Sequence, residues 1–494
     1  MKRNLTLKTL SLAIALLCIG LPRLVIGQEA NELEKLKATV KTMEQTIQEM
    51  NRKIAEMEKQ KARPEPAVTG VPPPTHPGAM PTLKAEPPKE DLADATTKIP
   101  YQETMNEESL GAPRPGNAPL DPTYQGFMQL FGTKTWIRLG GYAKLDTIAD
   151  STKVGNPNMF ITSKIPVQGE PDFGKDGRFA LHAKQTRLNL ELRSPTPLGS
   201  LKIYYENDFF NNNDQPSMDY RLRHFYGQVA NVTVGQTWST FYDPDVFPDT
   251  LDFEGPGVLP VVRQPELRYT IPIQKDAMFV AFAIEQPKSD LDVSNFAAGA
   301  VDGRNTMPDF TGNWRWEGKP GHVQVSGLLR GLSTDSNIGA VSDDSALGWG
   351  VNVSGALKIF DADSLVASFS YGDGIGRYVQ DLPSNSGGVV DAQGNLHLLT
   401  AWGAMLGYRH QWSEKWRSTA SYSYVQLDNR AEQLNSAADL AYDQTHYAQC
   451  NLIWAPTKNM YVGLEYLYGH KETRNGSEGD DHRVQLSFQY KLIR

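Results

Sequence analysis

The chain has 494 residues, a formal net charge of −8 and a mean hydropathy of −0.45. The acidic balance argues against a nucleic-acid ligand, and no stretch of 18 or more apolar residues predicts a membrane-spanning helix. Only two cysteines are present, which excludes a disulfide-rich scaffold.

The first 27 residues have the pattern of a cleaved secretory signal peptide. A basic start precedes an apolar run from Leu10 to Ile19, and small residues precede the predicted cleavage point after Gly27. The run is about half as long as the ~20 residues that a spanning helix needs, so a signal peptide is favoured over a membrane anchor. An exported chain with no spanning helix is then periplasmic, secreted or a β-barrel.

Residues 28–62 carry a heptad repeat that predicts an α-helical coiled coil. The apolar positions alternate in steps of three and four, and Lys and Glu fill most of the other positions. We expect them to mediate self-association, although an isolated amphipathic helix is the alternative and the repeat does not fix the number of chains. The oligomerisation residues are Leu33, Leu36, Val40, Met43, Ile47, Met50, Ile54 and Met57.

Residues 63–123 are rich in proline and poor in large apolar residues. Such a composition cannot bury a core, so we predict a disordered linker that acts as a semi-rigid tether.

Residues 124–494 contain short segments in which apolar and polar residues alternate, joined by connections that are in turn short and long. Sixteen such segments predict an all-β fold, a 16-stranded antiparallel transmembrane β-barrel, because only a closed sheet satisfies its backbone groups in lipid. A soluble β-sandwich is the alternative. The short turns are expected at Pro195–Gly199, Asn231, Gln274–Asp276, Lys319–Pro320, Asp361–Asp363, Ser413–Lys415 and Pro456–Asn459.

Apolar and aromatic side chains mark the predicted outer face of the barrel. In the last strand Val484 and Phe488 alternate with Gln485 and Gln489, and Trp and Tyr near strand ends predict aromatic girdles at the membrane interfaces. The segment 219–241 fits less well. Its polar residues His224, Gln228 and Gln236 fall on or near the outer face, which favours contact with another protein there.

Sixteen strands leave room for an aqueous channel, so we expect function to depend on the residues that line it. The long connection after the fifth strand is rich in acidic residues and is expected to fold inward and narrow the pore. Arginines on other strands are expected to form an opposing basic wall that attracts carboxylates, unless they pair with acidic residues of the wall such as Glu191 and Glu206. The predicted pore-lining residues are Arg187, Arg193, Arg221, Arg223, Arg263, Arg268, Arg315, Arg330, Asp245, Asp249, Asp252 and Glu254.

Several segments of this region resemble the DcaP-like family of outer-membrane porins. The resemblance covers residues 124–494 and rests on motifs such as YRLRHFYGQVANVTVGQTWSTFYDPD, TLDFEG, VRQPELRYT, SYGDGIGRY and NLIWAPTKNMYVGLEYLYGHKET. It implies a trimer of sixteen-stranded barrels, an N-terminal coiled coil, and uptake of small organic anions such as dicarboxylates. The chain departs from the usual pattern in ending on Ile493 and Arg494 rather than on an aromatic residue.

The predicted function is therefore a porin in the outer membrane of a Gram-negative bacterium, with a periplasmic N-terminal extension. The expected partners are membrane lipid and lipopolysaccharide, small organic anions, further copies of the chain in a homotrimer, and peptidoglycan for the extension. A structural anchor or adhesin with a plugged pore is the alternative. An outer-wall lipase using His224 and Ser239 is disfavoured because no nucleophile motif surrounds them, and no cofactor or metal is expected.

Overall fold

The computed structural model describes residues 109, 111–113, 127–211, 217–274, 277–339, 341–360, 362–433 and 440–492. The predicted signal peptide, the coiled coil and most of the linker lie outside the described residues. The helices in the described part of the chain are short 3₁₀ helices, and none is an α-helix. None of them is long and apolar enough to cross a membrane.

Sixteen antiparallel strands of the described residues form a closed barrel, as the sequence predicts. Each strand pairs with its sequence neighbours. The last strand returns to the first, with Tyr142 opposite Lys491 and Asp150 opposite Arg483, so the main sheet has no long free edge. The strands are β1 (Trp136–Asp150), β2 (Phe179–His182 and Arg187–Thr196), β3 (Gly199–Asp208), β4 (Arg221–Val229), β5 (Val232–Trp238), β6 (Arg263–Gln274), β7 (Met278–Glu285), β8 (Asp309–Gly318), β9 (Gly321–Ser336), β10 (Ser345–Ile359), β11 (Asp363–Asp373), β12 (Thr400–Ser413), β13 (Trp416–Asp428), β14 (Tyr442–Thr457), β15 (Met460–Thr473) and β16 (Glu478–Lys491).

Short elements decorate the connections. The two-residue strand Met128–Gln129 pairs antiparallel with the start of β1, and Val301–Arg304 pairs antiparallel with the end of β9. A separate small sheet joins Leu291–Asp292, Gly388–Val390 and Leu396–Leu398. The described 3₁₀ helices are Thr162–Lys164, Pro244–Val246 and Gly376–Tyr378.

The predicted short turns all join neighbouring strands at one end of the barrel, and the longer connections lie at the other end. Apolar side chains are exposed on the outside, whereas the buried residues of the strands are mostly polar or charged. Aromatic residues occur at both ends of the outer face. Trp416 and Trp454 stack with ring centroids 6.0 Å apart near the short turns, and Trp402 lies 5.1 Å from Tyr424 towards the long connections. This inverted distribution is that of a membrane barrel with a polar interior.

One expectation about the outer face is wrong. A β-bulge interrupts the register between β3 and β4: Glu206 lies opposite His224, and Asn207 opposite Leu222. Arg223 is the extra residue, so alternation shifts at this point and His224 points inward and is fully buried.

Gln228 lies on the inner face for the same reason, and its side chain is also buried. Of the three polar residues expected outside, Gln236 is only partly buried, and its side-chain amide donates 3.1 Å to the carbonyl of Leu222 at the bulge. The polar outer face predicted from residues 219–241 is therefore largely absent.

Candidate functional site

Residues 239–262, here called the inner loop, fold into the barrel and bind its far wall. Glu465 on β15 accepts hydrogen bonds from the backbone amides of Leu251 and Asp252, each at 2.8 Å. The ammonium group of Lys144 on β1 donates to the Leu251 carbonyl at 2.6 Å. Because the loop leaves β5 and reaches β15 and β1, it crosses the lumen and narrows it, as expected from its length and composition.

The first half of the inner loop is held by Arg315 on β8. Its guanidinium lies 2.8 Å from Asp243 and 2.5 Å from Asp245, and it also binds Glu317 at 2.6 Å. His322 approaches the other oxygen of Asp243 at 2.8 Å. The expectation that Arg315 faces Asp245 across an open pore is therefore wrong, because the two side chains form a direct ion pair.

Four of the predicted arginines lie on β2 to β4 and pair with neighbouring acidic residues of the wall. Arg223 binds Glu206 at 2.6 Å and Asp208 at 2.9 Å. The other contacts of this group are Arg221 with Asp208 at 2.6 Å, Arg187 with Glu206 at 3.9 Å, and Arg193 with Glu191 at 2.7 Å. This is the pairing that the sequence left open as the alternative, and it neutralises much of the positive charge of this wall.

The remaining predicted arginines are also engaged. Arg268 binds Glu266 at 2.9 Å, and Arg330 binds Asp290 at 2.7 Å. Arg263 lies over the ring of Trp238, 4.4 Å from its centroid, in cation–π geometry.

The second half of the inner loop binds basic residues that the prediction did not include. Arg417 on β13 lies 2.5 Å from Asp249, and Arg483 on β16 lies 3.4 Å from Asp252. Burial acts to raise the pKa of the Asp249 carboxyl, but the Arg417 and Arg409 guanidiniums outweigh it and hold that pKa below its usual range. Asp249 is therefore an anion at neutral pH, and its charge is balanced by Arg417.

Glu254 is the last of the predicted loop acids and is only partly buried. Its backbone amide donates to Asp252 at 2.9 Å, and its carbonyl accepts a hydrogen bond from the Gln380 side chain. Glu254 thus helps to attach the inner loop to the connection between β11 and β12.

A cavity of about 250 Å³, here called the main cavity, lies between the inner loop and the strands β11 to β16 at the short-turn end. Its polar lining includes Asp249, Arg409, Arg417, Lys458 and Lys491. No carboxylate of the described residues lies within ion-pair distance of Arg409, which donates to the Gln411 side chain at 3.1 Å.

The basic residues that border the main cavity thus belong to β12, β13, β16 and the turn after β14, and the arginines of β2 and β4 are not among them. The signal that could have found Arg409, Arg417 and Arg483 was present in the sequence. Each lies on the polar side of an alternating strand close to residues already assigned inward, such as Gln485.

A short piece of the linker also lies inside the barrel. Ser109 and Ala112 are buried, and a Cβ added to Gly111 would meet the His224 ring at 2.9 Å and the Tyr204 ring at 3.1 Å. Ala112 and Pro113 border a second cavity of about 60 Å³, whose lining includes Arg268 and Arg315. This segment fills space on the side of the lumen where the basic wall was expected.

The residues considered for an outer-wall lipase do not form such a site. His224 and Ser239 are both buried inside the barrel, and the Nδ1 atom of His224 lies 3.0 Å from the Thr237 hydroxyl. Neither side chain reaches the outer surface where a lipid substrate would bind.

The barrel fold agrees with the comparison to known families. The model of the DcaP outer membrane protein family matches residues 130–492. The chain belongs to this family. This confirms the resemblance to the DcaP-like family that the sequence motifs showed. The DcaP-family protein is therefore a porin-like channel of the outer membrane.

The chain is also similar to solved structures. The outer membrane channel DcaP of Acinetobacter baumannii is 21% identical with a TM-score of 0.63, and the match covers 74% of this chain and 99% of that chain. The anion-selective porin from Comamonas acidovorans is 10% identical with a TM-score of 0.47, covering 72% and 100%. A loop L8 deletion mutant of OmpT from Vibrio cholerae is 12% identical with a TM-score of 0.43, covering 73% and 100%. No curated protein matches the sequence.

Proposed function

We propose that this DcaP-family channel admits small organic anions, with dicarboxylates as the favoured class. The observation that supports this is the charge balance around the main cavity. The loop acids Asp245, Asp249 and Asp252 are paired with Arg315, Arg417 and Arg483 respectively.

Arg409, Arg417, Lys458 and Lys491 line the main cavity together with these three aspartates. Among the described residues that line this cavity, four basic side chains thus accompany three acidic ones, a formal net charge of +1, although the whole chain is acidic. Charges within about 8 Å, the Debye length at physiological salt, act on a permeating ion far more strongly than distant loops do. A carboxylate entering the main cavity meets a guanidinium whose fork suits two-point binding.

Planar-bilayer recording of the reversal potential in a salt gradient tests this proposal. The wild-type channel should prefer anions, and Arg409→Gln should shift the reversal potential towards cations. Arg304→Gln is the matched control, because Arg304 lies in an outer connection and pairs with Asp343 at 3.0 Å. A cation-selective wild-type channel, or equal shifts in the two variants, would show that the main cavity does not set selectivity.

We also propose a homotrimer whose short-turn end and N-terminal extension face the periplasm, where the extension reaches towards peptidoglycan. The heptad positions from Leu33 to Met57 support self-association. Native mass spectrometry of the detergent-solubilised protein should give the mass of three chains. A monomer would contradict the trimer without affecting the channel proposal.

A second candidate function is an outer-membrane anchor with a blocked pore. The observation in its favour is the linker segment inside the lumen, where Ser109 is completely buried. If this is the function, the full-length protein should insert into a planar bilayer in its folded state but give no conductance steps.

A further inference from the structure

The outward faces of β14, β15 and β16 bring metal-binding side chains together near the long connections. His446, His470 and Asp480 lie opposite one another in one cross-strand row. Glu472 and Glu478 face each other in the next row. Neighbouring residues of such rows have Cβ atoms about 4.5–5.5 Å apart, so their side chains can share a ligand.

The two glutamates carry like charges at directly opposed positions. Glu472 accepts a hydrogen bond from the neutral amide of Gln444, and neither glutamate lies within ion-pair distance of a lysine or arginine among the described residues. Like charges in this relation destabilise a sheet. A bound cation would remove this repulsion.

His470 has the second interaction that metal-binding histidines usually make. Its Nδ1 atom lies 2.9 Å from the Asp480 carboxylate, which also accepts a hydrogen bond from the Tyr468 hydroxyl at 2.6 Å. A ligand histidine commonly donates one ring N–H to a carboxylate, which orients the ring and leaves the other nitrogen for the metal. Asp480 is therefore suited to position His470.

We propose that His470, Glu472 and Glu478 bind a divalent transition-metal ion such as Zn²⁺ on the outer wall of the barrel. One ligand atom from each residue lies within 4.8 Å of the other two. Zn²⁺ binds imidazole nitrogen and carboxylate oxygen at about 2.0–2.2 Å, so small side-chain rotations bring the three atoms onto one ion. Imidazole in the ligand set favours Zn²⁺ over Ca²⁺ and Mg²⁺, which prefer oxygen alone.

The site has a structural consequence for the barrel. Glu472 and Glu478 flank the connection between β15 and β16, so the ion would join the outer ends of these two strands. A ligand that binds only the folded state stabilises it by mass action, and Zn²⁺ should therefore raise the unfolding temperature.

Another cluster within the described residues has ligands of the same types. Asp243, Asp245 and His322 also place ligand atoms within 4.8 Å of one another. Here the guanidinium of Arg315 already binds both aspartates, which leaves a cation little access. His322→Gln is consequently a matched control, because it removes a histidine from a different histidine–carboxylate cluster.

The test is isothermal titration of untagged, detergent-solubilised full-length protein with Zn²⁺, Ca²⁺ and Mg²⁺. Wild type should bind one Zn²⁺ per chain, Glu472→Gln with Glu478→Gln should abolish binding, and Asp480→Asn should weaken it by about 10–100-fold. His322→Gln and His482→Gln should bind like wild type. His482 lies on the same outer face and accepts a hydrogen bond from the Tyr466 hydroxyl at 2.7 Å when its Nδ1 is unprotonated.

Folding of each variant is checked by the heat-dependent shift in gel mobility of the barrel. Absence of Zn²⁺ binding to folded wild type, or equal binding by the double glutamine variant, would overturn the site. Binding of Ca²⁺ or Mg²⁺ as tight as that of Zn²⁺ would overturn the assignment to a transition metal.

Discussion

Asp249 and Arg417 join the inner loop to the barrel wall, with an oxygen of the carboxylate 2.5 Å from the guanidinium Nε. Asp249 lies in the connection after β5, and Arg417 lies eight strands away on β13. This contact fixes the loop across the lumen, where its position determines both the width of the pore and the charge beside it.

Replacing Arg417 by Ala should release the inner loop and increase single-channel conductance. The loss of a charge-assisted hydrogen bond should lower the free energy of unfolding by about 1.5–3 kcal/mol. Conductance is measured in planar bilayers and stability by urea unfolding. The double variant Asp249→Ala with Arg417→Ala should lose less free energy of unfolding than the two single variants lose together. If the losses simply add, the contact contributes nothing to stability.

Arg223 is expected to be a structural residue of the wall. Its side chain is completely buried between Glu206 and Asp208, so Arg223→Gln removes the closest ion-pair partner of Glu206 and one of the two arginines that bind Asp208. Breaking a buried pair in this way costs about 3–5 kcal/mol. Thermal or urea unfolding should show this loss, whereas Arg304→Gln, at an exposed pair, should change stability by less than about 1 kcal/mol.

Asp381 should control the packing of the long connections. It accepts hydrogen bonds from the Thr162 hydroxyl at 2.7 Å, the Ser163 amide at 2.9 Å and the Thr445 hydroxyl at 2.6 Å. Asp381→Ala should therefore expose the connection between β1 and β2 and speed its cleavage in limited proteolysis. Asp391→Ala is the control, because Asp391 bonds mainly within its own turn; equal cleavage of both variants would argue against this role.

Removal of residues 28–113 should leave the barrel folded and increase its conductance. The strands are joined without these residues, while Ala112 occupies space in the lumen beside Trp238. Gly111→Leu in the full-length chain should have a similar effect, since a side chain there would collide with His224 and Tyr204. Unchanged conductance in both proteins would mean that this segment does not obstruct permeation, and Pro73→Leu controls for a general effect of altering the linker.

The sequence by itself determined the barrel. Alternation in segments such as β16, with Val484 and Phe488 outside and Gln485 and Gln489 inside, specifies which face is apolar, and the alternation of short and long connections specifies the strand order. Both signals are local, because a strand's faces and its hairpin turn are encoded within a few residues. The inward path of the loop after β5 was also predictable from its length and composition.

Only the tertiary structure decided which charges meet. The bulge at Arg223 reversed the orientation of His224, and this depends on register with β3 rather than on the residues of β4 alone. Closure of the barrel placed Arg417 and Arg483 next to Asp249 and Asp252, residues far apart in the sequence.

The same reason applies to the outer metal-binding cluster, for which the sequence shows no ligand motif. His470, Glu472 and Glu478 lie close together in the sequence, but it is the register of β15 against β16 that places Glu478 opposite Glu472 and beside His470. Alternation along each strand encodes which way a side chain faces. Its partner across the lumen or along the wall is selected by three-dimensional register and closure of the whole sheet.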